Sequence, residues 1–202
     1  MRKIEPFESV AEALATLDNG GQFYNFLTHA EDGLISTAEV SKVAGLFVGK
    51  KQVVLYLQLV LSKLSQADLE VVFSKFDESL KLCYREYAGK RLAIDELDDS
   101  LDIGAAVVLQ GSAWPATDRS ELHGFVFIMA AGAMMPVPII EAYDIYRFTD
   151  ASNAAFPVVH TKGKAPFPSD RITIAGVVKE LKSEKKGERA KRYVEACYYV
   201  LS

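Results

Sequence analysis

Cysteine is almost missing from this chain: Cys83 and Cys197 are the only two in 202 residues. Two thiols make neither a disulfide framework nor a Cys-based zinc module. Histidine is as scarce, and His29, His123 and His160 each lack a second His or Cys at ligand spacing. Charge of one sign is lacking as well. The 23 Lys and Arg against 27 Asp and Glu leave a net −4, which argues against a surface that as a whole grips nucleic acid or anionic membrane. No apolar run spans a bilayer. Val53 to Leu64 falls short of the roughly 18–20 residues required, and Phe125 to Ile140 is broken by Gly132, Pro136 and Pro138. Arg2 and Lys3 are followed by Glu8 and Glu12 instead of the apolar core of a signal peptide. A cytoplasmic chain with no membrane partner is the expectation. Gly-x-Ser-x-Gly, the phosphate-binding Gly-Lys-Ser/Thr loop and Gly-x-Gly-x-x-Gly are all missing. The sequence therefore assigns no catalytic residue, no metal ligand and no cofactor.

What is present changes period halfway along. Phe7, Val10, Ala11, Leu14 and Leu17 fall on one helical face, with Ser9 and Glu12 at capping-box spacing. Ser36 and Glu39 repeat that spacing ahead of Val40, Val43, Ala44 and Phe47, a stripe that Gly49 ends. Gln52 to Leu64 is apolar nearly all round, as a central buried helix is. Ser65 and Asp68 then open a helix expected to run to Gly89, with Leu69, Val72, Phe73, Phe76, Leu80, Cys83 and Tyr87 on its inner face.

From Val107 onward the period is two. Strands are expected at Val107–Ala113, Leu122–Ala131, Val137–Phe148, Ile172–Leu181 and Arg192–Leu201, with a short one at Val158–Thr161. Pro136 and Pro138 cannot donate ladder hydrogen bonds, so their strand should begin at an edge. Charge steps with the period. Residues 1–100 hold 11 basic and 16 acidic side chains, net −5, and residues 101–202 hold 12 and 11, net +1. The expectation is an α+β protein: an all-helical domain over 1–101, then an antiparallel β domain over 102–202, a small barrel or a sandwich. The acidic run Asp95, Glu96, Asp98, Asp99, Asp102 reads as the solvated joint between them.

Two short patterns carry resemblances. Val107, Leu109, Gly111 and Ala113 share with Ile172, Ile174, Gly176 and Val178 the order apolar, apolar, glycine, apolar at every second residue. Glycine inside a strand marks a bulge or sharp coil. In this, residues 104–201 resemble the oligonucleotide/oligosaccharide-binding (OB) barrel. That family places a helix between its third and fourth strands, where Asn153–Asp170 reads as a loop. Separately, Thr28–Glu39 resembles an EF-hand loop through Asp32, Gly33, Ile35 and Glu39, and its Asp-Gly-x-Ile-Ser-x-x-Glu phrase is similar to helical tellurite-resistance-type domains. Thr28 and Ala30 stand where calcium ligation needs carboxylates, so a turn followed by a helix cap explains the phrase.

The strongest charge feature is Lys179–Arg192, seven cations against three Glu, net +4, followed by Tyr193, Tyr198 and Tyr199. Interleaved Glu makes it first a solvated hairpin. The leading functional reading is a non-catalytic binding or adaptor protein for a protein or small ligand. The alternative is a single-stranded nucleic-acid-binding module, and a third class is an enzyme whose site is assembled from scattered residues. The surface named for a ligand or partner is Trp114, Tyr143 and Tyr146 with Lys185, Lys186 and Arg189.

Overall fold

The computed structural model describes residues 2–18, 32–45, 49–97, 101–116, 121–130, 133–161, 165–181 and 191–202, and of residues 121–143, 181 and 191 the main chain alone. Five helices come first: α1 (Val10–Leu17), α2 (Thr37–Ala44), α3 (Lys50–Val60), α4 (Gln66–Ser74) and α5 (Glu78–Tyr87). Each start has a chemical cause. Ser9 Oγ accepts from Glu12 N at 3.2 Å, Ser65 Oγ from Asp68 N at 3.2 Å, and Ser36 with Glu39 closes a full capping box. Phe7 lies ahead of α1 rather than on it. It is still buried, held by its N–H on the Val60 carbonyl at 2.8 Å. Helix α3 is the central one, with Val53, Val54, Leu55, Tyr56, Leu57, Leu59 and Val60 all buried.

The single helix expected over 65–89 is two. At Lys75–Asp77 the chain leaves the helix to bridge Ile35 with Phe76, where Ile35 N donates to Lys75 O at 2.7 Å and Asp77 N to Ile35 O at 2.9 Å. Asp77 then caps α5 through Leu80 N at 2.6 Å. An aspartate that caps a new helix looks, in a periodic stripe, like any other polar residue. The stripe itself is kept, with Val72, Phe76, Leu80 and Cys83 buried.

The strands are β1 (Arg2–Lys3), β2 (Lys90–Arg91), β3 (Ala106–Pro115), β4 (Glu121–Ala130), β5 (Ala133–Thr149), β6 (Ala155–Thr161), β7 (Ile172–Leu181) and β8 (Lys191–Leu201). They run in the order β2-β3-β7-β8-β6-β5-β4, and an added β3–β5 pairing closes β3, β7, β8, β6 and β5 into a five-stranded barrel. The order β7-β3-β5-β6 within it is a Greek key. A closed Greek-key barrel of five strands is the OB architecture, so the protein is α+β with a barrel rather than a sandwich. The β6/β8 pair within it is parallel. Strand β4 sits outside the barrel, on the half of β5 that holds Pro136 and Pro138 and pairs on that side alone.

The two strand glycines sit at seams. A methyl group on Gly111 would lie 2.3 Å from the Thr149 carbonyl oxygen, and one on Gly176 2.5 Å from that of Glu195. Gly111 is where β3 passes from pairing with β7 to pairing with β5, and Gly176 faces the bulge at Cys197 of β8. Where the family's intervening helix would lie, between β6 and β7, residues 165–171 hold none. Instead Phe167 stoppers the barrel, its ring centroid 4.8 Å from that of Tyr146, 5.3 Å from His160 and 5.6 Å from Tyr199.

Helices and barrel share packing. Val108, Ala175, Tyr198 and Val200, on the outer side of β3, β7 and β8, belong to the helical core, while Val107, Leu109, Phe148, Val158, Ile172, Ile174 and Val194 fill the barrel. Strand β1 pairs in parallel with Tyr198 and Tyr199, and β2 with Val107 and Val108.

Candidate binding face

Among the described residues the helical layer lies on β3, β7 and β8, which makes the outer surface of β5 and β6 the open side of the barrel. Strand parity decides what it displays. On β3, Leu109 and Ala113 turn inward, so Gln110 and Trp114 turn out, and Trp114 is 54% exposed. On β5, Tyr146 and Phe148 turn inward, leaving Arg147 exposed between them. On β6, Val158 and His160 turn inward and Pro157 is exposed. Register aligns the outward residues: Trp114 lies opposite Arg147, and Arg147 opposite Pro157. Paired strands place opposite Cα atoms about 4.5–5.5 Å apart, so an indole, a guanidinium and a pyrrolidine form one row across three strands. A parallel step along the face, Ile145 packs with Val159 and Tyr193, and Lys179 pairs with Glu195.

The named surface residues divide. Trp114 stands on this face. Tyr146 does not: at 4% exposure it is part of the barrel interior, stacked on His160 with centroids 5.2 Å apart. His160 is fully buried; its Nδ1–H donates to the Thr161 carbonyl at 2.9 Å, which leaves Nε2 to accept from the Tyr146 hydroxyl at 3.3 Å. Burial pushes the Tyr146 phenol above its usual pKa, against a backbone hydrogen bond from Phe167. Tyr143 pairs its main chain with Thr161 on β6, and its side chain lies outside the described residues. Lys185, Lys186 and Arg189 also lie outside them, in the connection from Leu181 to Lys191. Sequence reasoning passed over Arg147 and Pro157. The signal was available: Arg147 lies between the large apolar residues Tyr146 and Phe148, so it takes the opposite face.

Elsewhere the chemistry is quiet. Cys83 is buried and Cys197 half-buried, and desolvation raises both thiols, Cys197 to about 11. Among the described residues no group of three or more His, Cys, Asp or Glu is placed to hold a metal ion, and no helix is long and apolar enough to cross a membrane. The phrase Asp32–Glu39 serves as a turn and cap, with Asp32 Oδ1 accepting from Leu34 N at 2.9 Å and Gly33 N donating to Asp18 Oδ2 at 3.0 Å.

No family model and no curated protein matches the chain. Among solved structures it is similar to the N-terminal domain of an archaeal MCM, at 10% identity over 95% of this chain and 92% of that one, TM-score 0.41. It is also similar to two OBodies bound to hen egg-white lysozyme. These are 16% and 17% identical over 55% of this chain and 92% and 90% of theirs, both with TM-score 0.31.

Proposed function

We propose that the protein is a non-catalytic binding module that holds an extended ligand across the open face of β5 and β6. The observation that carries this is the exposed row Trp114–Arg147–Pro157 on the side of an OB barrel that the described helices leave free. In such barrels the face of the second and third strands, with the loops flanking it, is where ligands lie, and those strands here are β5 and β6. Tryptophan and arginine are two of the residue types enriched where binding energy concentrates at interfaces. A protein segment is the first ligand class, because the chain carries net −4 and residues 1–100 carry −5. Single-stranded nucleic acid is the second, favoured by Arg147 directly opposite Trp114 and by the cations of the 182–190 connection, since bases stack on aromatics while cations track the backbone.

The chain has one tryptophan, so intrinsic tryptophan emission reports on this face alone. Titration with extended peptides, and with an oligonucleotide of about a dozen residues, is expected to shift that emission for the true ligand class. Trp114→Ala should weaken binding by about 30-fold, equivalent to about 2 kcal/mol for a central aromatic. Oligonucleotide affinity is expected to stay within the roughly 10⁻⁴–10⁻⁶ M of non-specific association. A nanomolar isotherm that Lys185→Ala, Lys186→Ala and Arg189→Ala together abolish would make nucleic acid the ligand. Binding that leaves the parent's tryptophan emission unchanged, or that persists at parent affinity in Trp114→Ala when followed by calorimetry, would place the site elsewhere.

A further inference from the structure

Strand β4 ends the sheet, and among the described residues its far edge pairs with nothing. Only β5 packs closely on it. Beyond the barrel, then, β4 and residues 133–142 of β5 stand as two strands, and a two-stranded sheet is marginal in water until further strands or a helix join it. Parity decides which edge can take a further strand. Ala116 N donates to Ile145 O at 2.9 Å, so odd-numbered residues of β5 turn their main-chain N–H and C=O toward β3 and β4, and even-numbered ones turn theirs away. On that other side β6 covers β5 from Tyr143 to Thr149. Past β6, the even positions include Pro136 and Pro138, which have no N–H to give. Register carries the parity across to β4. Gly124 lies opposite Ile139 and Val126 opposite Val137, so even residues of β4 bond to β5. Glu121, His123, Phe125, Phe127 and Met129 present their N–H and C=O groups to the bare edge. The usual guards of an edge strand are missing: residues 122–130 hold no Lys, Arg or Pro, and the register with β5 runs without a bulge. Phe125–Ala130 is uncharged, free of Gly and Pro, and rich in aromatic and β-branched residues, the composition of strands that pair with copies of themselves.

We propose that β4 pairs with β4 of a second copy of this chain, antiparallel across a two-fold axis, to give a four-stranded sheet in the order β5-β4-β4-β5. Odd residues must face odd ones, so the axis passes through a residue. With Phe125 opposite Phe125, Glu121 falls opposite Met129 and His123 opposite Phe127, and all of the bare positions find partners. The two Glu121 positions then lie at opposite ends of the sheet, so no like charges meet. The arrangement also closes. Pro136 and Pro138 guard the outer β5 edges, so pairing stops at two copies instead of running on as a fibre.

Sedimentation equilibrium and amide hydrogen exchange on the full chain test this. At about 10⁻⁴ M protein, a hundredfold above a micromolar dissociation constant, the mass should approach that of two chains. The amides of His123, Phe125, Phe127 and Met129 should exchange slowly there and quickly on dilution, while those of Gly124, Val126 and Ile128, bonded to β5, stay protected at both concentrations. Phe127→Pro removes an N–H from the bare edge and no bond to β5, so it should keep the protection of the even residues and bring the mass down to one chain. Met134→Pro adds a proline to the edge already guarded and should leave the dimer whole. A parent that is monomeric at that concentration overturns the proposal and leaves the edge to an extended segment of another protein. It is equally overturned by a dimer that survives Phe127→Pro, by a dimer in which the odd amides exchange quickly, by loss of the dimer in Met134→Pro, or by assembly beyond two chains.

Discussion

Gly111→Ala probes the closure of the barrel at its tightest point. The added methyl would sit 2.3 Å from the Thr149 carbonyl oxygen, 2.9 Å from Phe148 Cε1 and 3.0 Å from the Thr149 carbonyl carbon. Carbon and oxygen come no closer than about 3.3 Å even in favourable contacts, so β3 and β5 must part by about 1 Å. The obstructing atoms are main chain, and a side-chain rotation does not relieve them. The seam that would open is short, Ser112–Pro115 against Tyr146–Thr149. Overpacking a core costs about 1–3 kcal/mol, and a main-chain clash at the closing seam belongs at the upper end. At roughly 2–4 °C per kcal/mol for a chain of this size, a cost of about 3 kcal/mol lowers the melting temperature by about 6–12 °C. Circular dichroism melts and urea midpoints measure it, the urea slope staying constant if stability alone has changed. Gly49→Ala is the control, since its nearest neighbour is Gln52 Oε1 at 3.9 Å and a glycine N-cap is worth less than about 1 kcal/mol over alanine. If Gly111→Ala melts within about 1 °C of the parent, β3 and β5 do not approach as described and the barrel is not closed there.

Cys83→Ser places a hydroxyl on a buried helical stripe and should cost about 1–3 kcal/mol if it finds no partner; in the native parent, both thiols should react slowly with an aromatic disulfide reagent, and rapid labelling of Cys83 would put it on the wrong face. Glu39 is 3% exposed, and burial first, then Asp18 and Asp32, raise its carboxyl, while Ser36 hydrogen bonds lower it. Its folded pKa exceeds the unfolded value of about 4.3, so the folded state holds its proton longer and stability falls as pH rises through that window. Glu39→Gln keeps a capping-box residue and should flatten that fall when denaturant midpoints are compared between acid and neutral pH; an unchanged profile would refute the assignment. We propose further that the halves separate near residues 101–104: a fragment from Leu101 keeps all of the barrel core but Ile94 and Leu97 and should show dispersed amide resonances, at reduced stability because those two are lost and Val108, Ala175, Tyr198 and Val200 lose their helical cover. An unfolded fragment would mean one indivisible core.

Most elements were legible because their signals are local. Ser36 with Glu39, and Ser65 with Asp68, mark helix starts by short side-chain hydrogen bonds, and alternation from Val107 to Ala113 sets which face of β3 turns inward. The matched Gly111 and Gly176 pointed to tight seams because only a missing Cβ lets backbones approach so closely. Other features are fixed at long range. Arg2–Lys3 and Lys90–Arg91 have no strand pattern of their own; partners at Tyr198–Tyr199 and Val107–Val108 make them strands. The break at Lys75–Asp77 depends on Ile35, some forty residues earlier. Phe167 stoppers the barrel from a stretch between Pro166 and Pro168 that has no periodicity to read.

The placement of β8 sets a timetable for folding. This strand lies between β7 and β6, receives β1 at Tyr198 and Tyr199, and packs on α3. During synthesis the helices emerge first, and domains generally fold as they appear. Yet Arg2 and Lys3 must wait for partners almost two hundred residues downstream, and the barrel stays an open sheet until Lys191–Leu201 leaves the ribosome. Contacts so distant in sequence are slow to form. The flank of α3 therefore stays bare long after the helices emerge, the β6 and β7 edges stay bare from their own emergence until β8 follows, and a chain stalled before Lys191 would be the species that chaperones meet.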